Sequence, residues 1–480
     1  MSKREAPDFE EPENKTAILG NGQASIKGDQ GDVDMGEFED NWEDEIESEE
    51  DVIDGEEQEG MEVDDEEEEE KEPEVQVYLP GQTMEKDEVL EVDNSAYHML
   101  HTMTVKWPCL SFDILNDNLG ENRNTYPATS YMVAGTQADR PKNNELMIMK
   151  MSQLCKTIHD NADSDAEESD DEVDDDPILE TKSLKHVGGV NRVRAMPQAG
   201  NHIVASWAET GKVHIWDVAP LVNALDTPGT TIPQQAMQPI YTVGSHSIEG
   251  FAMDWSDTVT GRLLTGDFNN SIYLTNPAES TFIPDMIPFH GHTSSIEDLQ
   301  WSPNQKSVFA SCSADQTVRI WDVKNKKKDV FSIKAHEADV NVISWNKKVN
   351  YLLASGSDDG IFSIWDMRTF SNQSAVTPVA TFKWHSGPIT SIEWHPHEES
   401  VLGVAGADDQ VTIWDLSVEQ DAEEEGGVIM QENGMQVPPQ LLFIHQGQKD
   451  IKEIHWHKQI PGCMTTTAGS GFNIFKTISV

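Results

Sequence analysis

Three side chains stand at a spacing that suggests acyl transfer: Ser311, His292 and Asp315. A serine activated by an imidazole, itself oriented by a carboxylate, is the arrangement of a hydrolase nucleophile. The same three types recur 44 residues on, as Ser355, His336 and Asp359. An enzyme has no reason to install its triad repeatedly, whereas a repeating fold does. A buried imidazole and a turn carboxylate need partners, so a structural chain is expected instead: turn Asp to His ring, His to strand Ser, Ser to a Trp indole. Two further pairs, His395-Pro396-His397 and His455-Trp456-His457, have the look of metal ligands. Yet His395 and His457 each follow a tryptophan at the place where Ser302 follows Trp301, which makes them turn residues of a repeat. The chain has no Walker loop, no His-Glu-x-x-His and no G-x-S-x-G. No catalytic, cofactor or metal residue is assigned, and no enzyme activity is expected.

The elements that position these residues are visible as internal repeats. Ile215-Trp216-Asp217, Ile320-Trp321-Asp322, Ile364-Trp365-Asp366 and Ile413-Trp414-Asp415 each end a short β-branched run. The last three tryptophans are 44 and 49 residues apart, near the ~40–45 residues of a WD repeat. The 105 residues from Trp216 to Trp321 leave room for a degenerate unit, seen in Asp254-Trp255-Ser256, Leu264-Thr265-Gly266-Asp267 and Ile272-Tyr273-Leu274. Its dipeptide position reads Thr275-Asn276. Each clear unit opens near a His (His292, His336, His385), continues to a first-strand Trp (Trp301, Trp345, Trp394), and carries an Asp six residues before the closing Trp (Asp315, Asp359, Asp408). Six units run over about 186–217, 246–276, 292–322, 336–366, 385–415 and 445–476, and a seventh lies before them, from Ser130–Gly135 to Leu146–Met149.

The expected fold is all-β: a seven-bladed WD-repeat β-propeller with a short N-terminal helix and a disordered acidic N-terminal tail and loops. The expected divisions are an acidic tail at 1–84, a helical segment at 85–106 and the propeller at 107–480, with an acidic insert at 160–177 and an acidic loop at 418–438. Cys109–Leu115 alternates as one strand, and is expected to complete the blade made by 445–476, because an open ring would leave an unpaired edge. Ser95–Met103 reads as the helix, capped by Ser95, with Tyr97, Leu100 and Met103 on one face.

The formal net charge is −54, with 87 Asp+Glu against 33 Lys+Arg. Residues 37–72 hold 23 acids in 36, 163–176 hold 10 in 14, and 419–425 hold 5 in 7. The remaining 49 acids and 32 bases make an ordinary globular surface. A folded body carrying acidic polymer favours a basic partner and disfavours nucleic acid, whose phosphates need clustered Lys and Arg. The one basic cluster, Lys324 to Lys328, reads as a solvated loop. Cys109, Cys155, Cys312 and Cys463 have no metal or disulfide spacing and fit a reducing compartment. The first residues, MSKREAPDFEEPEN, contain no apolar leader, and no apolar run is long enough to span a bilayer.

Tyr97-His98-Met99-Leu100-His101 leading into Lys106-Trp107-Pro108-Cys109-Leu110-Ser111-Phe112 resembles the histone-binding WD proteins of chromatin-assembly complexes. With the glutamate-rich N-terminus, the insert at 161–176 after the first blade and Gly266-Asp267-Phe268, the chain more closely resembles the glutamate-rich WD-repeat family. That resemblance, over roughly 90–480, implies a monomeric dedicated chaperone of one basic large-subunit ribosomal protein, number three, reaching the pre-ribosome indirectly. It implies residence in nucleus and nucleolus with a cytoplasmic pool, without membrane or direct nucleic-acid contact. The position six before the first-strand Trp, at the entrance to the narrow face, holds Glu249, Asp339 and Asp450, with Pro388 and Ser295 between, suggesting an acidic docking face for the partner. Glu66, Glu67, Glu68, Glu69 and Glu70 and the insert's Asp170, Asp171, Asp174, Asp175 and Asp176 would add diffuse attraction. Ser48, Ser164 and Ser169, each with an acid three residues on, are phosphorylation candidates. The alternatives are a histone chaperone, and a substrate receptor of a cullin-type ubiquitin ligase suggested by Trp365-Asp366-Met367-Arg368.

Overall fold

The computed structural model describes residues 92–157, 176–198, 200, 202–370, 376–418 and 437–480. They form seven four-stranded antiparallel sheets. The first strands of blades 1 to 7 are Cys109–Leu115, Val190–Ala195, Ala252–Trp255, Ile296–Trp301, Val340–Trp345, Ile389–Trp394 and Glu453–Trp456. Each contacts the first strand of the next blade, and the last contacts the first, so they line a closed ring. The expected seven-bladed propeller is therefore the fold.

Alternation builds each blade. In Val308–Ser313 of blade 4 the run Phe309 to Ser313 is buried on both faces, while the flanking strands leave two of six and three of six residues half-exposed. Such doubly covered strands need small or apolar side chains, which is what Phe309-Ala310-Ser311-Cys312 supplies. The closing tryptophans Trp321, Trp365 and Trp414 are buried to within 2% and fill the space between neighbouring sheets. The helix of the described residues, Ala219–Asp226, sits between the third and fourth strands of blade 2 and packs Leu221, Val222 and Leu225 on blade 1.

Three expectations about the start of the ring are corrected. Ser95–Met103 is not a helix. Asn94–Ala96 is a single 3-10 turn capped by Asp93, which accepts from the Ser95 amide at 2.9 Å, and Tyr97–Met103 is a strand. It pairs antiparallel with Gly471–Thr477, Leu100 opposite Phe475 and Thr102 opposite Asn473. This segment, not Cys109–Leu115, closes the seventh blade; Cys109–Leu115 pairs with Ala128–Thr136 as the first strand of blade 1. Nine residues make a marginal helix by themselves, whereas the edge of Gly471–Thr477 offers a full ladder of backbone partners. Burying Tyr97, Met99 and Met103 on the strand side then decides the outcome. Tyr97 packs edge-on against Phe443 and Phe475, and its hydroxyl lies 2.8 Å from His445 Nδ1. The acidic insert falls not after blade 1 but inside it, between Glu145–Leu154 and Ile178–Lys185. The acidic tail expected at 1–84, and residues 85–91 of the segment expected to be helical, lie outside the described residues.

Strand and helix make opposite demands on Met99, which is fully buried here but off the face a helix would have docked. Met99→Ala should therefore cost about 2–5 kcal/mol as a core truncation. Half-buried Leu100→Ala should cost less, and urea denaturation of the two variants checks the order.

Candidate functional site

Blades 3, 4 and 6 each tie the loop entering them to their own central turn. Trp321 Nε1 can only donate, and does so to Ser311 Oγ at 2.8 Å. Ser311 therefore donates onward to His292 Nε2 at 2.6 Å, and His292 Nδ1–H to Asp315 at 2.9 Å. Blade 5 repeats the inner part, with Trp365 to Ser355 at 2.8 Å and Ser355 to His336 at 2.7 Å. Blade 6 substitutes Thr412 for the serine, between Trp414 and His385, and His385 reaches Asp408 at 2.9 Å. In blade 3 His246 bridges Thr265 and Asp267, each at 2.7 Å. Burial pushes the His292, His246 and His336 pKa values down, so these rings are neutral links. In blades 4, 5 and 6 the hydroxyl oxygen also accepts from a buried indole N–H. The two His pairs are turn residues as well. His395 Nδ1 accepts from the amides of His397 and Glu398, and His457 Nδ1 from those of Gln459 and Ile460. Among the described residues no cluster of three or more His, Cys, Asp or Glu could hold a metal ion.

The relays shape the face at which the first strands begin, and the three acids of the register stand on it in different states. Glu249 is half-buried and accepts from Asn191 Nδ2 at 3.0 Å. Asp450 is exposed, left-handed at φ 62°, and paired with Lys452 at 2.5 Å. Asp339 is half-buried, and burial with the neighbouring Asp358 raises its pKa. Beside it lies an acid that the register omits. Glu297, in the first strand of blade 4, has its pKa raised by burial and further by Asp339 and Asp358. Burial is the larger cause for both groups, and the neighbouring carboxylates add to it, while Arg192 opposes it at Glu297. Asp176 is exposed just before Ile178. Asp170, Asp171, Asp174, Asp175, Glu66–Glu70, Ser48, Ser164 and Ser169 lie outside the described residues.

The channel behind this face holds charges that the register did not single out. Glu453 Oε1 accepts from Arg192 at 2.6 Å and Arg194 at 2.7 Å, while Oε2 accepts from Ser111 at 2.7 Å and the Phe112 amide at 2.9 Å. Burial alone would raise its pKa, but the two guanidiniums hold it well below the usual carboxylate range. One carboxylate thus joins blades 7, 1 and 2. His455, against burial, is raised to about 10 by Glu393 at 2.9 Å and by Glu453. Asp254, by contrast, is pushed up to about 8 by burial and Asp257, against the Trp301 amide at 2.7 Å and the weaker pull of Lys347 and Arg194. The signal for these residues was alternation: the positions one and three before the first-strand Trp face the channel. On the outer side, Arg368 grips Asp366 at 2.6 Å and lies 3.6 Å over the Tyr351 ring.

A family profile described for the histone-binding protein RBBP4 and its counterpart in the CAF1 complex matches residues 87–155. The WD domain, G-beta repeat profile matches 285–322, 327–366 and 376–415. Over 489 aligned positions, 100% of both chains, the sequence is 51% identical to ribosome assembly protein rrb1 of Schizosaccharomyces pombe. It is 50% identical to glutamate-rich WD repeat-containing protein 1 of Dictyostelium discoideum, over 82% of this chain and 83% of that one. Among solved structures, the WD40 β-propeller domain of Doa1 aligns at TM-score 0.52 and 14% identity, over 79% of this chain and 96% of that one, which is a likeness of fold.

Removing a relay serine leaves a buried indole and imidazole without their partner. Ser311→Ala and Ser355→Ala should each lower stability by about 1–3 kcal/mol, equally in both blades, as read from urea midpoints. The pKa of His455 is raised on folding, so its contribution is complete below about pH 6.5 and drains away as pH rises through about 10. The stability difference between the wild type and His455→Gln should therefore shrink from pH 6.5 to pH 8.5 in matched urea titrations.

Proposed function

We propose, from the premise that this chain belongs to the glutamate-rich WD-repeat family, that it serves ribosome assembly as a dedicated chaperone of one newly made ribosomal protein. The client is a basic large-subunit protein, number three, bound at the face where the first strands begin and delivered to nucleolar pre-ribosomes. The observation that carries the reading is the acidic group Glu297, Asp339 and Asp358 on that face, its charge offset only in part by Arg192, in a chain of net charge −54.

The physical logic has two parts. A ribosomal protein made for RNA carries extensions that bind any nucleic acid or aggregate when bare. Flexible acidic runs neutralise that charge without geometry, and a rigid rim adds shape and register. Association through charge is fast and salt-sensitive, and release follows when ribosomal RNA, with denser charge, competes for the same basic residues. The chain acts as a monomer in nucleus and nucleolus, with a cytoplasmic pool that meets the client as it is made. The S. pombe relative, named for ribosome assembly, supports the process; the client and compartments are this reading's own.

The test is affinity purification of the tagged full chain from translating cells, with mass spectrometry at moderate and high salt. One large-subunit ribosomal protein dominating, and persisting at high salt, is the expected result. Histones or a ligase adaptor dominating instead would overturn it.

A further inference from the structure

A hollow of about 590 Å³ opens on this same face between blades 3 and 4, within the ~300–1,000 Å³ range of ligand pockets. Its walls include Phe251, Phe268, Asn269, Ser294, Ser295 and Glu297. Neither Lys nor Arg is among the described residues that line it. Phe251 and Phe268 are both half-buried, with ring centroids 5.3 Å apart and planes tilted by 59°. Two aromatic rings held at an open rim, rather than folded into the core, present π-surface to whatever enters.

The position of the rings is fixed from below. The Phe268 amide donates to the Glu249 carbonyl at 3.1 Å, and Asp267, in the preceding turn, is locked to His246 at 2.7 Å and accepts from the Asn269 and Ser271 amides. Phe251 offers its carbonyl to Arg192 Nε at 3.0 Å. Glu297 stands at the wall with Ser295 donating to it at 2.5 Å. Arg192, which partly offsets its charge, has its guanidinium committed to Glu453 at 2.6 Å. The hollow therefore combines a preformed aromatic wall, a carboxylate short of a cation, and amide and hydroxyl groups that can accept hydrogen bonds.

We propose that this hollow is an arginine-reading subsite, in which a guanidinium of a basic protein chain stacks on Phe251 and Phe268 and pairs with Glu297. Arginine fits better than lysine for a chemical reason. A guanidinium is planar, weakly hydrated and carries five donors, so it can lie on a ring and still bond Glu297 and the neighbouring polar groups. An ammonium is a compact, strongly hydrated point charge, and gains less from the rings. The subsite rests on the reading that the partner is basic, and adds that the rigid face selects arginine, whereas the acidic runs respond to charge alone.

The test uses the full chain and two fluorescent synthetic peptides of equal charge, six Gly-Arg repeats and six Gly-Lys repeats, titrated by anisotropy at moderate salt. The wild type should bind the arginine peptide roughly three- to tenfold more tightly, the size of a partly exposed cation–π contact. Glu297→Gln and Phe268→Leu should each bring that ratio below about two, with lysine-peptide affinity changed less than about twofold. Glu279→Gln, exposed in the turn between the third and fourth strands of blade 3 and outside the hollow's lining, should leave the ratio intact. If Phe268→Leu fails to fold, the near-isosteric Glu297→Gln decides alone. A wild-type ratio near one, or a ratio unmoved by Glu297→Gln, overturns the subsite. The two readings fail separately: loss of the ribosomal client in purification with the ratio intact removes the client, whereas a retained client with no arginine preference removes the subsite.

Discussion

A ring of blades has a backbone problem that single sheets do not share: the first strand of every blade has a neighbour beside it that it does not pair with. Its inward amides would be buried without partners, at about 1–3 kcal/mol each. Polar side chains from the preceding blade meet that need. The residue just before the first-strand tryptophan, or its equivalent, accepts from the next blade's backbone: Asp113 from Ala195, Asp254 from Trp301, Gln300 from Trp345, Ser344 from Trp394 and Glu393 from Trp456, at 2.7–3.2 Å. A second tier runs two residues earlier, with Ser111 to Val193, Asp298 to Ile343, Ser391 to Ile454 and Glu453 to Phe112. These links join every neighbouring pair of blades except 2 and 3, where Arg192 Nε donates to the Phe251 carbonyl instead.

These links explain where charge is compensated and where it is not. Acceptors strong enough for buried amides include carboxylates, and buried carboxylates need cations. Arg192, Arg194 and His455 supply them around Glu453 and Glu393. Toward the mouth the cations run out, and Glu297 and Asp339 are left to repel their neighbours. The same constraint that builds the channel thus leaves a negative rim. On the proposed function, a basic partner completes at that rim a charge balance that the fold completes for itself inside.

Tyr97–Met103 shows why local pattern misled at the seam. Tyr97, Leu100 and Met103 do fall on one helical face, yet the strand buries Tyr97, Met99 and Met103, and apolar residues at these spacings satisfy both periods over so short a stretch. The partner that broke the tie, Gly471–Thr477, lies more than 370 residues away. The same reasoning displaced Cys109–Leu115, a sound strand assigned to the wrong sheet.

Residue types and local spacing were enough to establish the repeats, the seven blades, the Trp–Ser–His–Asp relay and the separation of a mildly acidic body from strongly acidic runs, because each depends on neighbours within one repeat. They also suggested Glu249, Asp339 and Asp450 as a docking face, which stays a proposal. They did not find Glu297, Glu453 or the two arginines, nor which strand closes the ring. Ser111 and Glu453 meet across 342 positions of sequence, and Phe251, Phe268 and Glu297 meet across a blade boundary. Contacts between blades are set by the geometry of closure, and no period within a repeat encodes them. That is why the fold was legible in the chain, while the chemistry of its mouth was decided only by the closed ring.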